Sequence, residues 1–284
     1  MTFQTSPAIS CPRCGNFCER LVPGYKVCEP CLQLILPPGM RGETNLSSVA
    51  SGVGHVLRTV GLQSAVILGL VNIPIGFITV LRTHEETQGI GALGALLWSP
   101  FPFFAGLVVL FLSHQSLRGM PISLRDAVGR VTSRFFSVFW TNLVSAFFAA
   151  LWSLLFILPG IHKSICYCLA ANIALFENQS GDDAIAASMQ RTSPLLGILY
   201  ALGIAAAVSS AMLQAAAAVF ATGLTGAAEV APELTIIAAL LSVAASGVAS
   251  AFMSLLTLTT QQVIYEQSAL QAADLGLLVV DDDL

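Results

Sequence analysis

Charge is what this chain has least of. Only 10% of its 284 residues are Asp, Glu, Lys or Arg, against about 25% in an ordinary soluble domain. So few charges cannot clothe a water-facing surface, and lipid is expected to cover the remainder. The formal net charge of -4 is small and leaves no basic footprint for nucleic acid. Catalytic constellations are missing too. The four histidines, His55, His84, His114 and His162, are scattered without metal-ligand spacing, and neither a GxSxG elbow nor a phosphate loop occurs. No catalytic residue is assigned, and an enzyme is not expected. The opening residues MTFQTSPAIS lack an apolar core. A cleavable signal peptide is therefore not expected, and the first spanning helix should act as the signal.

What is abundant is apolar length. Hydrophobic residues make up 55% of the chain and mean hydropathy is +0.79. The apolar segments run Thr59 to Leu81, Gly91 to Ser113, Val138 to Leu158, Ile161 to Phe176, Pro194 to Ala221 and Leu234 to Thr259. A span needs about 20 apolar residues. Five segments meet that. The fourth is short and carries His162, Lys163 and Asn172, as a tilted, re-entrant or shielded segment would. The expected fold is an all-α polytopic membrane protein: six transmembrane helices in three hairpins, with interfacial amphipathic helices and a small N-terminal zinc ribbon. The divisions are a ribbon at 1–36, a linker at 37–45, the transmembrane domain at 46–267 and an acidic tail at 268–284.

Orientation follows from the basic residues. If all six segments cross, Arg13, Arg20, Lys26, Arg41, Arg58, Arg118, Arg125, Arg130, Arg134 and Arg191 share one side, and only Arg82 and Lys163 fall on the other. That bias places both termini in the cytoplasm of a cell whose inner membrane holds the bundle. A repeat is also legible. Leu124, Ala127, Val128 and Val131 recur at helical spacing. Asp183-Ala184-Ile185 echoes Asp126-Ala127-Val128, and Arg191 echoes Arg134. Leu46, Val49, Val53, Val56 and Leu57 offer one more such stripe, the first of the three in chain order. Each stripe precedes a hairpin, so three units of interfacial helix plus hairpin are expected, related as parallel repeats.

Five of the seven cysteines lie between Cys11 and Cys31. Cys11-Pro-Arg-Cys14-Gly and Cys28-Glu-Pro-Cys31 are two CxxC knuckles. A CxxC turn points two thiolates at one metal, and four close a tetrahedron. Cys11, Cys14, Cys28 and Cys31 are therefore the expected ligands of a structural Zn2+. Such a site stabilises a segment too small to form a core. The sequence resembles zinc ribbons with a CPxCG first knuckle. An unmetallated tail and a redox dithiol are the alternatives, and Cys18 is a spare thiol that could replace a ligand. Residues 1 to 45 hold Arg13, Arg20, Lys26 and Arg41 against Glu19, Glu29 and Glu43. With four thiolates added, phosphate binding is not expected. A knob for a cytosolic protein, or a folded cap, is.

The five clear spans carry no Asp, Glu, Lys or Arg, which argues against proton coupling. Asn72, Asn142 and Gln214 are read as interhelical hydrogen bonders. Pro74, Pro100 and Pro102 predict kinks, and Ser242, Ser246, Ser250 and Ser254 a close-packing stripe. Cys166 and Cys168 face different ways and read as small apolar residues. Asp182 and Asp183 suit a helix N-terminus. An enzyme would need Glu177, Asp182, Asp183 and His162 in one cluster.

The stretch Leu158-Pro159-Gly160, Ala174-Leu-Phe-Glu177, Asp183 to Ser188 and Gly197, with the closing Val263-Ile-Tyr265-Glu266, carries a resemblance. It is similar to bacterial six-helix membrane proteins described as the membrane domain of glycerophosphoryl diester phosphodiesterase. The resemblance spans roughly 45 to 270 and implies the six-helix fold. Some members carry a separate phosphodiesterase domain with His and Glu catalytic residues. This chain has no such domain, so no catalytic residue carries over. Two functions stand: a non-enzymatic scaffold or accessory protein using the ribbon as a contact module, or a transporter or lipid-handling protein with a cavity between hairpins.

Overall fold

The computed structural model describes residues 9–10, 17–18, 40, 44–83, 93–94, 97–230 and 235–274. In the head, β1 (Ile9–Ser10) and β2 (Phe17–Cys18) pair antiparallel, with Ile9 opposite Cys18 and Ser10 opposite Phe17. Eight α-helices follow among the described residues: α1 Leu46–Thr83, α2 Pro100–Leu117, α3 Leu124–Leu155, α4 Ile157–Cys166, α5 Ala170–Phe176, α6 Asp182–Thr192, α7 Leu196–Val230 and α8 Thr235–Asp274. Five stretches are long and apolar enough to cross a membrane: Leu46–Pro74, Pro100–Leu117, Leu124–Leu155, Asp182–Phe220 and Val243–Gln271.

The first two amphipathic stripes are not separate interfacial helices. Each is the opening of a long helix, α1 or α3. Asn45 starts α1: its Oδ1 accepts from Ser48 N at 2.8 Å, and its own N donates to Ser48 Oγ at 3.1 Å. Ser123 Oγ starts α3 by accepting from Asp126 N at 3.3 Å. Nothing between those caps and the apolar run breaks the backbone ladder, so one helix continues. Within the α3 stripe, Ala127 and Val131 are buried while Leu124 and Val128 are exposed. The face continues through Val138, Thr141 and Ser145. Only the third stripe is short. Gly181, at φ +59°, precedes α6, and a 3-10 turn, Ser193–Leu195, separates α6 from α7.

The fourth segment is a broken helix. Phe156 is extended, and α4 folds back on α3. The turn needs Gly160, because a Cβ there would lie 2.6 Å from Ser153 Cα and 2.7 Å from Ser153 Cβ. After a break at 167–169, α5 also lies along α3. Arg134 reaches Asn178 Oδ1, and Gly181 N donates to Thr141 Oγ1 at 2.8 Å. Gly160 thus lies beside residue 153 of α3 and Asn178 beside residue 134, so α4 and α5 together run back along most of α3.

α8 is the central strut and packs on α1, α7, α2 and α6. Its buried face is Val243, Gly247, Ala251, Leu255, Thr259 and Val263, a strict four-residue spacing. This face lies one residue beyond the expected serine stripe. The close approach falls at Gly247, where a Cβ would meet Ile73 Cα of α1 at 3.2 Å. A side chain at that position would crowd the backbone of α1. Pro74 does lie inside α1, but Pro100 opens α2, where its fixed φ suits a first turn, instead of kinking it. α7 continues past Ala221, the expected end of its apolar segment, to Val230. Outward, the helices present bare apolar side chains such as Leu62 (82% exposed), Phe136 (81%) and Leu154 (85%). Such surfaces suit hydrocarbon and not water.

Candidate functional site

Two features stand out in the interior: a chain of polar side chains at one end of the bundle, and a cavity that this chain enters. The end is defined by the start of α1, the end of α2, the start of α3 and the end of α8. Gln267 Nε2 of α8 donates to Ser48 Oγ of α1 at 2.9 Å, and Ser123 N of α3 donates to Gln115 Oε1 of α2 at 3.2 Å.

Glu266 lies in the middle of this end and is fully buried. His114 Nδ1 is 2.5 Å from its Oε1, and Arg118 Nε donates to its Oε2 at 3.3 Å. Gln262, one turn earlier on α8, donates to Oε1 at 3.1 Å. A second carboxylate, Glu177, takes both Arg191 nitrogens at 2.5 and 2.6 Å and the Tyr265 hydroxyl at 2.7 Å. Phe176 stacks between the two groups, with ring centroids 4.1 Å from His114 and 5.4 Å from Tyr265. Both anions are therefore held by cations and donors, as burial demands.

From Glu266 a file of amides runs inward. Gln262 donates to Glu266. Asn172 Nδ2 of α5 donates to Gln262 Oε1 at 2.7 Å, and Gln261 Nε2 donates to Asn172 Oδ1 at 2.9 Å and also to Cys168 O. Each amide in the file thus donates one N–H toward the carboxylate. Gln261 then forms part of a cavity wall.

That cavity has a volume of about 530 Å³ and is partly open, within the span of small-molecule sites. α1, α2, α3, α5, α7 and α8 all contribute to it. Its polar residues are Asn72, Asn142, Ser210, Ser254, Thr257 and Gln261, and its walls include Phe103, Leu107 and Met253. No charged side chain lines it.

The sequence expectations divide here. Asn72 and Asn142 do meet in one place, but at the cavity and not across a packed interface. Asn72 Nδ2 donates within its own helix to Leu68 O at 2.8 Å, and Gln214 donates to Ser210 Oγ on its own helix at 3.0 Å. A short amide finds a backbone carbonyl one turn away more readily than a neighbouring helix held off by a cavity. Cys166 is buried and Cys168 half-buried. The cluster that an enzyme would need does not assemble. Glu177 is paired with Arg191, Asp182 and Asp183 are exposed, and His162 Nδ1 lies 2.9 Å from the Tyr200 hydroxyl.

The sequence reading missed Glu266 and His114. Glu266 lies beyond the apolar window on a helix that continues to Asp274. The signal was there in Gln262 and Glu266, four apart and so on one face. Cys11, Cys14, Cys28 and Cys31 lie outside the described residues. Among the described residues no group of three or more His, Cys, Asp or Glu side chains is placed to hold a metal ion. Comparison with protein-family models, with curated proteins and with solved structures found no match.

Proposed function

We propose that this chain is a non-enzymatic, multi-pass membrane protein that holds an amphipathic small molecule in its central cavity. Of the two functions the sequence left standing, the cavity favours lipid handling over a bare scaffold. The carrying observation is the set Asn72, Asn142 and Gln261 on one apolar-walled cavity inside the bundle. A packed bundle would leave those amides no space.

The head belongs to the proposal as a contact module. β1 and β2 flank the first CxxC knuckle in sequence, which supports a ribbon with Cys11, Cys14, Cys28 and Cys31 around structural zinc, presented to a cytosolic protein. Arg118, Arg125, Arg130, Arg134 and Arg191 gather toward the end that carries Glu266 and Glu177. That supports a cytoplasmic placement of this end, with both termini inside.

The test is native mass spectrometry of the full chain released from lipid nanodiscs. A retained non-protein mass is expected for the wild type and its loss for Gly106→Leu. A Cβ at Gly106 meets only Leu258 side-chain atoms, at 3.6 and 3.9 Å, so leucine there fills the cavity without breaking the helix. Retention of the same mass by both proteins would refute cavity binding.

A further inference from the structure

We infer that the cavity selects an uncharged lipid alcohol, a long hydrocarbon body with a free hydroxyl, over phosphate-bearing lipids of the same body. The inference rests on the cavity reading above and specifies the head group. Three observations carry it.

The first is the direction of the amide file. Glu266 accepts from Arg118 and from Gln262, and so fixes every amide behind it. Gln262 must turn its carbonyl to Asn172, and Asn172 must turn its own to Gln261. Gln261 Nε2 is committed to Asn172 Oδ1 and Cys168 O. What Gln261 offers the cavity is therefore its carbonyl oxygen. Bonds in such a file polarise one another, which makes that terminal oxygen a stronger acceptor.

The second is Asn72 of α1, which also lines the cavity. Its Nδ2 gives one N–H to Leu68 O at 2.8 Å, which fixes the amide and leaves Oδ1 as an acceptor beside the second N–H. Both side-chain assignments are fixed by backbone carbonyls, which accept only from the amide nitrogen. Two acceptors ask for a donor, and a hydroxyl is a donor that an apolar site can hold without a counter-ion.

The third is the absence of charge from the cavity's lining. A phosphate there would find amide and hydroxyl donors such as Asn142, Ser254 and Thr257 but no cation, and a charge without a counter-ion in a medium of low dielectric is unfavourable. The alkyl body would lie along Phe103, Leu107 and Met253.

The experiment uses the full chain in phosphatidylcholine nanodiscs, titrated with dioleoylglycerol and with dioleoylphosphatidate. These share the diacylglycerol body and differ by the phosphate. Dioleoylglycerol should bind at least about tenfold more tightly, the weight of one hydrogen bond in a dry site. Asn72→Leu should remove most of that preference while still binding. Asn72 bonds only within its helix, so the fold should tolerate the change. Gln261→Met is the companion variant, with the same expected loss of preference. Equal binding of the two lipids, or a preference for phosphatidate, would overturn the hydroxyl inference and leave the cavity reading standing. Binding of neither by wild type, matched by Gly106→Leu, would overturn both.

Discussion

Replacing Glu266 by alanine tests how the polar end of the bundle is held together. The carboxylate is fully buried and takes His114 at 2.5 Å, Gln262 at 3.1 Å and Arg118 at 3.3 Å. Hydrogen bonds to a charged group contribute about 1.5–3 kcal/mol each, but three such values do not add. The change removes the carboxylate to which Arg118, 13% exposed, donates. Breaking a buried pair from one side costs about 3–5 kcal/mol, a large part of the 5–15 kcal/mol that about any domain commands. Unfolding in mixed micelles of dodecyl maltoside and dodecyl sulfate, followed by circular dichroism, measures it. Asn142→Ala, on the cavity wall, is the control and should change little. The triple substitution His114→Leu, Arg118→Leu, Glu266→Leu should recover much of the loss, because it removes the acid and these two basic partners together. A Glu266→Ala protein within about 0.5 kcal/mol of wild type, the scatter of an ordinary surface change, would refute the reasoning.

Gly160→Ala should destabilise the α3–α4 turn by about 1–3 kcal/mol, the usual cost of overpacking, because the new Cβ meets Ser153 Cα at 2.6 Å. The same unfolding assay reads it, and an unchanged midpoint would mean that α4 does not fold back there. Zinc should copurify at about one per chain if four thiolates close the site. Cys14→Ser should lose the metal, and a folded, metal-free head would contradict the ribbon. Reporter fusions after Gly89 should report outside and fusions at the C-terminus inside. A C-terminus found outside would mean that α4 and α5 do not together cross.

The sequence made the broad architecture legible because lipid selects for a single property over about 20 residues. The long apolar windows fall on α1, α2, α3, α7 and α8, and the acidic first turn at Asp182 and Asp183 marks α6. Boundaries were less legible. Hydropathy drops where a helix leaves the hydrocarbon, yet the backbone ladder does not, so α1, α3 and α8 run past their apolar windows. The packing face of α8 was misread by one residue, since Gly247 and the serine row have the same period and only the approach of Ile73 separates them. Asn72 and Asn142 were correctly singled out as polar residues at depth. That they share a cavity depends on how six helices meet, which no local window holds. Glu266 and His114 are 152 residues apart, and no spacing argument reaches that far.

Lipid as the solvent of this surface is tested most directly at Trp140 and Trp152, which lie outward on α3 with 58% and 38% of their surface exposed. In a Trp98→Phe background reconstituted into vesicles, bromine-labelled acyl chains should quench their fluorescence and aqueous iodide should not. Quenching by iodide, with none from the brominated chains, would contradict the account.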